Sequence, residues 1–394
     1  MKILFYRYNS ICEPDVIEAF QKLGITVLEE KSRMTDKNMT DLQTVEIIEG
    51  LIRADHFLFI FSINFFPIIS EVCEVAQIPY VSWTVDVPVI ELFSPALANK
   101  CNRIFMFDRE QYQKFKAENP EGIFYMPLAT NTKRWDKIIG RSTSAERKKF
   151  KGNVSFVGSL YTEKNAYKKI IGMSDYSKGY ISGVIEAQLQ IYGMNFIESM
   201  LTDELMQELD PLVPDLHQPV CEGNVRAQRY LIANSFIGSE IAETERIRIL
   251  DALSERFDVD LYTFSETSKL PKVRKHGPVK TTTEMPLVFH ESTVNLNITM
   301  RPIASGLSLR IYDVCGSGGF LLTNWQEELP EIYEPGEEVE FFGSQEELIE
   351  KTDFYLRHEE ERIKIKSRGY ERTVNEHTYD RRIMEMIKII NTTI

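Results

Sequence analysis

Short runs of apolar, β-branched and aromatic residues recur along the first 130 residues, at Ile3–Tyr6, Thr26–Leu28, Phe57–Phe61, Tyr80–Trp83, Arg103–Phe107 and Ile123–Met126. Between most of them the apolar positions change to helical spacing. Val16, Ile17, Phe20 and Leu23 follow it in one segment, and Ile68, Ile69, Val72 and Val75 in another. Strand and helix in alternation predict a parallel sheet with helices on both faces. Residues 1–130 therefore read as a complete Rossmann-like domain.

The polar, basic stretch 131–151 ends in RSTSAERKKFKG and reads as a linker. NVSFVGSLY then opens like a first strand again, so a second domain is expected over 152–375. Residues 163–256 have mostly helical patterning, longer than a usual crossover, and read as a helical insertion. Alternation resumes at Val259–Phe264, Val294–Ile298 and Phe320–Thr323. Ser344 and Glu347 in SQEELI read as a capping box opening a helix. Residues 376–394, amphipathic near Tyr379–Ile390, read as a terminal crossover helix packing back toward the N-terminal domain.

Composition narrows the function without naming it. The chain has 394 residues, 43% hydrophobic and 27% charged, as in ordinary globular proteins. A formal charge of −13 argues against nucleic acid as the main partner, although 46 Lys and Arg allow a locally basic groove. The five cysteines form no C-x-x-C pair and read as buried, reduced thiols. No apolar segment approaches the ~20 residues of a membrane span, and MKILFYRYNS is too short an apolar run for a signal peptide. The expected compartment is the cytoplasm. Six histidines give no metal-ligand pattern.

One stretch concentrates candidate chemistry: SGLSLRIYDVCGSGGFLLTNW, residues 305–325. Leu307, Ile311, Val314 and Cys315 fall at i, i+4, i+7 and i+8, one buried helix face. Ser305 and Gly306 sit where that helix should begin, followed by Leu307, and unpaired N–H groups at such an end can hold a phosphate. Arg310 can offer a guanidinium fork to phosphate oxygens. Asp313 can accept two hydroxyl hydrogen bonds, as ribose requires. Spacing alone equally allows a structural Arg–Asp i,i+3 pair with a glycine-rich C-terminus. Glu327 with Glu328, and Glu337 with Glu338, are sequence neighbours on turns and read as solvated.

Two Rossmann-like domains facing across a cleft, a linker and a terminal helix describe the GT-B architecture, an α/β fold. The segment from Val288 to Arg381 resembles the C-terminal half of the CgeB-like glycosyltransferases, relatives of the large retaining GT-B group. STVNLNIT, GLSLRIYDVCGSGGFLLTN, ELPEIYEPGEEVEFF, SQEELIEKTDFYL and EHTYDRR carry that likeness. YMPLATNTKRW, NVSFVGSLY and SWTVDVP resemble earlier parts of the same family. The resemblance implies transfer of a sugar from a nucleotide diphosphate sugar without a metal held by the protein. It also implies that Asp313, on the helix matching 307–315, binds the donor ribose. Where the wider group has a glutamate eight positions earlier, this sequence has Ser305.

Other candidates come from position. Gly158 and Ser159 follow NVSFV, where a glycine lets backbone approach a diphosphate and Ser159 could donate to it; a tight turn is the plain alternative. Asp86, just past the fourth strand, is the candidate general base toward an acceptor hydroxyl. It equally suits the cap of a helix starting near Pro88. His276 lies in the basic loop KLPKVRKHGPVK, where a base or diphosphate could contact it, or is simply solvated; GT-B relatives grip the base at the loop matching Lys275–Met285. The expected function is a metal-independent glycosyltransferase using a nucleotide sugar, with uridine favoured. The acceptor could be a protein, a glycan or a small molecule, and no cofactor is expected. An epimerase on the same scaffold and a non-catalytic sugar- or protein-binding module are the alternatives. A nicotinamide-dependent enzyme is disfavoured, because the first strand runs into YRYNSICEP without G-x-G-x-x-G.

Overall fold

Most of the apolar runs become strands because they are buried on both faces of a parallel sheet, where alternation is not required. A computed structural model describes residues 1–393. The chain forms two units: Met1–Ala129 with the segment from His377 onward, and Thr130–Glu376.

The first unit holds β1 (Lys2–Tyr6), β2 (Thr26–Glu30), β3 (Ile60–Ile63), β4 (Tyr80–Thr84), β5 (Asn102–Met106) and β6 (Ile123–Tyr125). They form one parallel sheet in the order β2-β1-β3-β4-β5-β6. Leu4, Tyr6, Ile60, Ile104 and Met106 meet Ile69 and Cys73 of helix Pro67–Ala76 in its core. Each such aliphatic side chain contributes about 1.5–3 kcal/mol on full burial. Helix Glu13–Lys22 begins with Pro14 and two acids and ends in Lys22, matching its dipole. Helix Tyr379–Thr393 packs against it within this unit. Lys22 pairs with Asp380 at 3.3 Å, Tyr379 sets its ring edge on Trp83 at 6.0 Å, and Arg103 donates to Thr393.

The second unit holds β7 (Gly152–Val157), β8 (Val259–Tyr262), β9 (Arg274–Lys275), β10 (Ser292–Asn297), β11 (Leu321–Asn324) and β12 (Glu340–Phe342). Their order is β12-β11-β10-β7-β8-β9, again parallel. Val154, Phe156, Leu250, Leu261, Leu296 and Leu322 are among its core. Residues 131–151 are not an open connection: they form helices Thr132–Arg141 and Ser144–Lys148, each capped by a side chain. The SQEELI cap is half a box. Ser344 Oγ accepts from the Glu347 amide, but Glu347 turns to the Gly343 amide instead of closing the reciprocal bond.

The helical insertion runs between β7 and β8. Its last part is continuous from Val225 through a π segment, Ile232–Ile237, into helix Gly238–Ser254. A methyl group on Gly238 would lie 2.7 Å from Pro302, in the segment after β10. Glycine thus lets helix and loop touch, which fixes where the helix side chains two turns later can reach. Gly238→Ala should destabilise the protein by about 1–3 kcal/mol, the usual cost of overpacking; an unchanged denaturant midpoint would contradict that contact.

Candidate functional site

In an open parallel sheet, ligands sit beyond the strand ends where the order reverses, because loops there diverge and leave a crevice. In the second unit that point lies between β7 and β10. Arg246, from helix Gly238–Ser254, reaches it. Nη1 donates to the Ser159 carbonyl at 2.7 Å and Nη2 to the Ile298 carbonyl at 2.8 Å. Its guanidinium lies 5.0 Å from the Tyr161 ring centre and 5.5 Å from that of Phe156. One cation therefore holds the chain leaving both central strands. Burial lowers the Arg246 pKa, with Tyr161 and nearby carboxylates opposing.

Arg310 is the second cation of this region. Its side chain is 27% exposed, packs its guanidinium over Phe289 at 5.3 Å, and approaches Asp313 at 3.5 Å. Burial lowers its pKa, Asp313 opposes that, and the Arg246 charge adds to the lowering. Burial that disfavours the charge of each guanidinium is what a bound anion relieves. Asp313 is 5% exposed, and its Oδ1 accepts from Thr130 Oγ1 at 2.7 Å. Trp135 Nε1 donates to the same hydroxyl at 2.7 Å, so the Thr130 proton is directed to the carboxylate.

The helix carrying both residues, Leu309–Gly316, begins later than the sequence suggests. Its N-cap is Ser308, without a side-chain cap bond. Ser305 and Gly306 therefore do not form its end but lie buried in the preceding loop. Ser305 Oγ donates to Glu328 Oε1 at 2.6 Å, and the Gly306 carbonyl accepts from Gln326 at 3.0 Å. Glu328 is consequently not a solvated turn residue; it is 2% exposed. Leu307, Ile311, Val314 and Cys315 do form the buried face. Gly318 then takes φ +67, a left-handed turn after the helix that favours glycine.

Gly158 follows β7 and donates its amide to the Tyr262 carbonyl at 3.1 Å. The Ser159 hydroxyl is committed locally, donating to Glu163 at 2.7 Å and accepting from the Tyr161 amide at 2.8 Å. What Ser159 brings to Arg246 is its carbonyl. His276, just past β9, bonds Asp260 at 2.6 Å and stacks on Tyr262 at 4.6 Å. One ring face and one nitrogen are thus occupied.

Another buried ion pair supports the loop after β10. Arg301 Nη2 donates to Glu245 Oε1 at 2.8 Å, both side chains are 3% exposed, and the guanidinium lies 4.0 Å over Tyr192. Arg301 Nε and Nη1 and Glu245 Oε2 are buried without a hydrogen-bond partner. Burial raises the Glu245 carboxyl above its usual range, with Arg301 opposing.

In the first unit the order reverses between β1 and β3, and Asp86 lies just beyond β4 next to that point. It does not cap a helix. The next helical turn is Ile90–Phe93, with Val89 at its N-cap. Asp86 is exposed, and its Oδ2 accepts from Asn64 Nδ2 at 2.8 Å. Cys12 and Cys101 offer no rival nucleophile, because burial pushes their thiols up to about 12.

Residues 246–388 match the family described as Glycosyl transferase-like. That stretch is similar to a glycosyl transferase-like domain and covers less than half of the chain. It includes Arg246, Arg310 and Asp313, while Gly158, Ser159 and Asp86 lie outside the match. No curated protein matches the sequence. Among solved structures, the chain is similar to a glycosyltransferase from Rickettsia africae at 8% identity, covering 100% of this chain and 98% of that one, TM-score 0.53. It is similar to Anabaena Alr3699/HepE in complex with UDP-glucose at 12% identity, covering 100% of both chains, TM-score 0.52. A sucrose-phosphate synthase from Thermosynechococcus elongatus matches at 11% identity, 100% and 98% coverage, and TM-score 0.54. The matched stretch thus stands in a chain of GT-B fold, with two parallel six-stranded Rossmann-like sheets.

Arg246, Glu328 and Asn64 are the site residues the sequence reading misses. Arg246 sits in TERIRIL, whose only signal is charge on the inner side of a helix: Glu243 and Glu245 are each 3% exposed.

Proposed function

We propose that the chain is a glycosyltransferase of the CgeB-like type that takes a sugar from a uridine diphosphate sugar and passes it to an acceptor hydroxyl. The observation that carries this reading is the pair of Arg310 and Asp313 on the helix that follows β10, with Arg246 holding the chain that leaves β7 and β10 at the reversal. Asp313 holds the ribose hydroxyls and Arg310 the diphosphate. Arg246 shapes the β7 and β10 loops and adds positive potential as charge develops on the leaving diphosphate. Gly158 gives the backbone access there, and the segment from His276 to Glu284 takes the base. The backbone of Ser305, Gly306 and Leu307 borders the donor, with the Ser305 hydroxyl oriented by Glu328. Asp86 is the base that accepts the proton of the acceptor hydroxyl. Five scattered cysteines without a C-x-x-C pair fit a reducing compartment, and we place the protein in the cytoplasm. Support for uridine comes from the UDP and UDP-glucose complexes of the Anabaena protein.

A thermal-shift panel of uridine, thymidine and guanosine diphosphates and their sugars tests the donor class. A ligand that binds only the folded state at ~100 Kd stabilises it by about 2.7 kcal/mol. UDP and UDP-glucose should raise the melting temperature most; no shift with any of the panel would refute the reading. The cations assigned to the diphosphate are arginines, so transfer should keep its rate in EDTA. A loss restored by one divalent metal would show that the guanidinium groups do not suffice.

A further inference from the structure

Asp86 does not stand alone at its strand end. Asn64, the first residue past β3, joins three neighbouring loops. Its Oδ1 accepts from the Val85 amide at 2.9 Å, and its Nδ2 donates both to Asp86 Oδ2 and to the Tyr8 hydroxyl, each at 2.8 Å. All three bonds need the amide in one orientation, since an amide N–H must meet the oxygen and a carboxylate must meet the NH2. The backbone is fixed as firmly. Asn64 has φ +57, a left-handed conformation that asparagine tolerates better than most residues. Its own N–H donates to the Trp83 carbonyl at 2.8 Å, and its carbonyl accepts from Ser62 Oγ at 2.7 Å. Such an over-determined residue, at a reversal of strand order, is where stored backbone strain tends to serve a site.

The consequence for the two side chains it touches is chemical. Asp86 has one oxygen bound by the amide, and its Oδ1 accepts no hydrogen bond among the described residues. Tyr8 accepts from Asn64, so its phenolic proton is directed away from the amide. Burial first, then the Asp86 charge, raises the Tyr8 pKa far above its usual value, and it stays a donor. The groups that feel Asp86 are Tyr8 and Cys12, both kept neutral by burial, with Glu13 behind them paired to Arg7 at 2.9 Å. A fixed carboxylate acceptor and a fixed phenol donor, spanned by one amide, suit a ligand hydroxyl that gives a proton to one and takes a hydrogen bond from the other.

We propose that Asn64 is a positioning residue for acceptor deprotonation, its side-chain amide orienting Asp86 Oδ1 and the Tyr8 hydroxyl toward the incoming hydroxyl group. This rests on the reading of Asp86 as the base. In the step, the acceptor oxygen bonds to the anomeric carbon, the bond to the diphosphate breaks, and the proton goes to Asp86.

The probe is UDP-glucose, with released UDP as the readout, and UDP affinity is followed by calorimetry. Asn64→Gly keeps the left-handed backbone but deletes the amide. It should lower kcat about 10- to 100-fold, as small misplacements do, with UDP affinity unchanged. Asn64→Asp keeps the acceptor for Val85 and sets a second carboxylate beside Asp86, which should move the acid limb of the pH–rate profile up by about one unit. Wild-type kcat in Asn64→Gly, or an unmoved acid limb in Asn64→Asp, would overturn the proposal, provided Asp86→Asn is inactive. Full activity in Asp86→Asn would instead remove the base assignment, and no UDP release by the unsubstituted protein would remove the donor reading; either takes the proposal with it.

Discussion

Asp313→Ala is expected to lower kcat/KM for a uridine diphosphate sugar about 10²- to 10³-fold, equivalent to roughly 3–4 kcal/mol, because a carboxylate binding two hydroxyls makes two charge-assisted hydrogen bonds. The loss should appear equally in UDP affinity, since ribose contacts are made before and during transfer. Stability should change much less. Thr130 keeps its bond from Trp135, and Arg310, at 27% exposure, can hydrate when its partner is gone. Asp313→Asn should fall between, retaining one acceptor oxygen for Thr130 or for ribose but not the charge. Calorimetry with UDP and initial rates with UDP-glucose check both variants. Wild-type affinity in Asp313→Ala would mean the donor's nucleoside lies elsewhere.

The largest expected effect on stability is at Arg301. Its removal leaves the Glu245 carboxylate buried without its cation, and breaking a buried pair from one side costs about 3–5 kcal/mol. Replacing both, as Glu245→Met with Arg301→Met, should recover most of this, because three buried polar atoms without partners disappear together. The single variant should also gain a pH dependence. Burial holds the Glu245 carboxyl above its usual value, and without Arg301, the largest opposing influence, only Tyr192 and the Arg246 charge still act against it. An acid whose folded pKa is raised gives stability that is fully present below its unfolded pKa and lost as pH rises through the folded one. The stability deficit of Arg301→Ala should therefore grow between about pH 5 and 8. Denaturant titrations at three pH values decide it; a pH-independent deficit would mean the carboxylate finds another cation.

Many of the strands could be placed along the chain because parallel strands covered on both faces are continuous apolar runs. ILFY, YVSW and VSFV belong to β1, β4 and β7 for that reason. The third run is displaced, read at Phe57–Phe61 and found at Ile60–Ile63, since the apolar stretch is longer than the strand. β9 and β12 escape notice. RK is exposed, and EFF is short and charged, so each is made a strand only by the neighbour it pairs with at a sheet edge.

The candidate site divides in the same way. Arg310 and Asp313 stand three apart on one helix, so their association is written locally. Arg246 acts on a carbonyl 87 residues away, and Asn64 on side chains 56 and 22 residues away. No local pattern marks such residues, because their role is created by the strand order. The helix start is misread for a finer reason. The helix begins at Leu309, a turn later than the apolar spacing suggests, because Leu307, which opens that spacing, is buried in the loop before it.

The first unit is built from two stretches separated in sequence, Met1–Ala129 and the segment from His377 onward, which supplies helix Tyr379–Thr393 on its outer layer. During synthesis the ribosome therefore releases an incomplete N-terminal body whose apolar flank waits uncovered while the intervening 247 residues, Thr130–Glu376, are made. Since domains generally fold as units while the chain emerges, the later-made unit can mature first. A nascent chain stalled before Tyr379 has emerged should accordingly be a client for chaperones through residues 1–129.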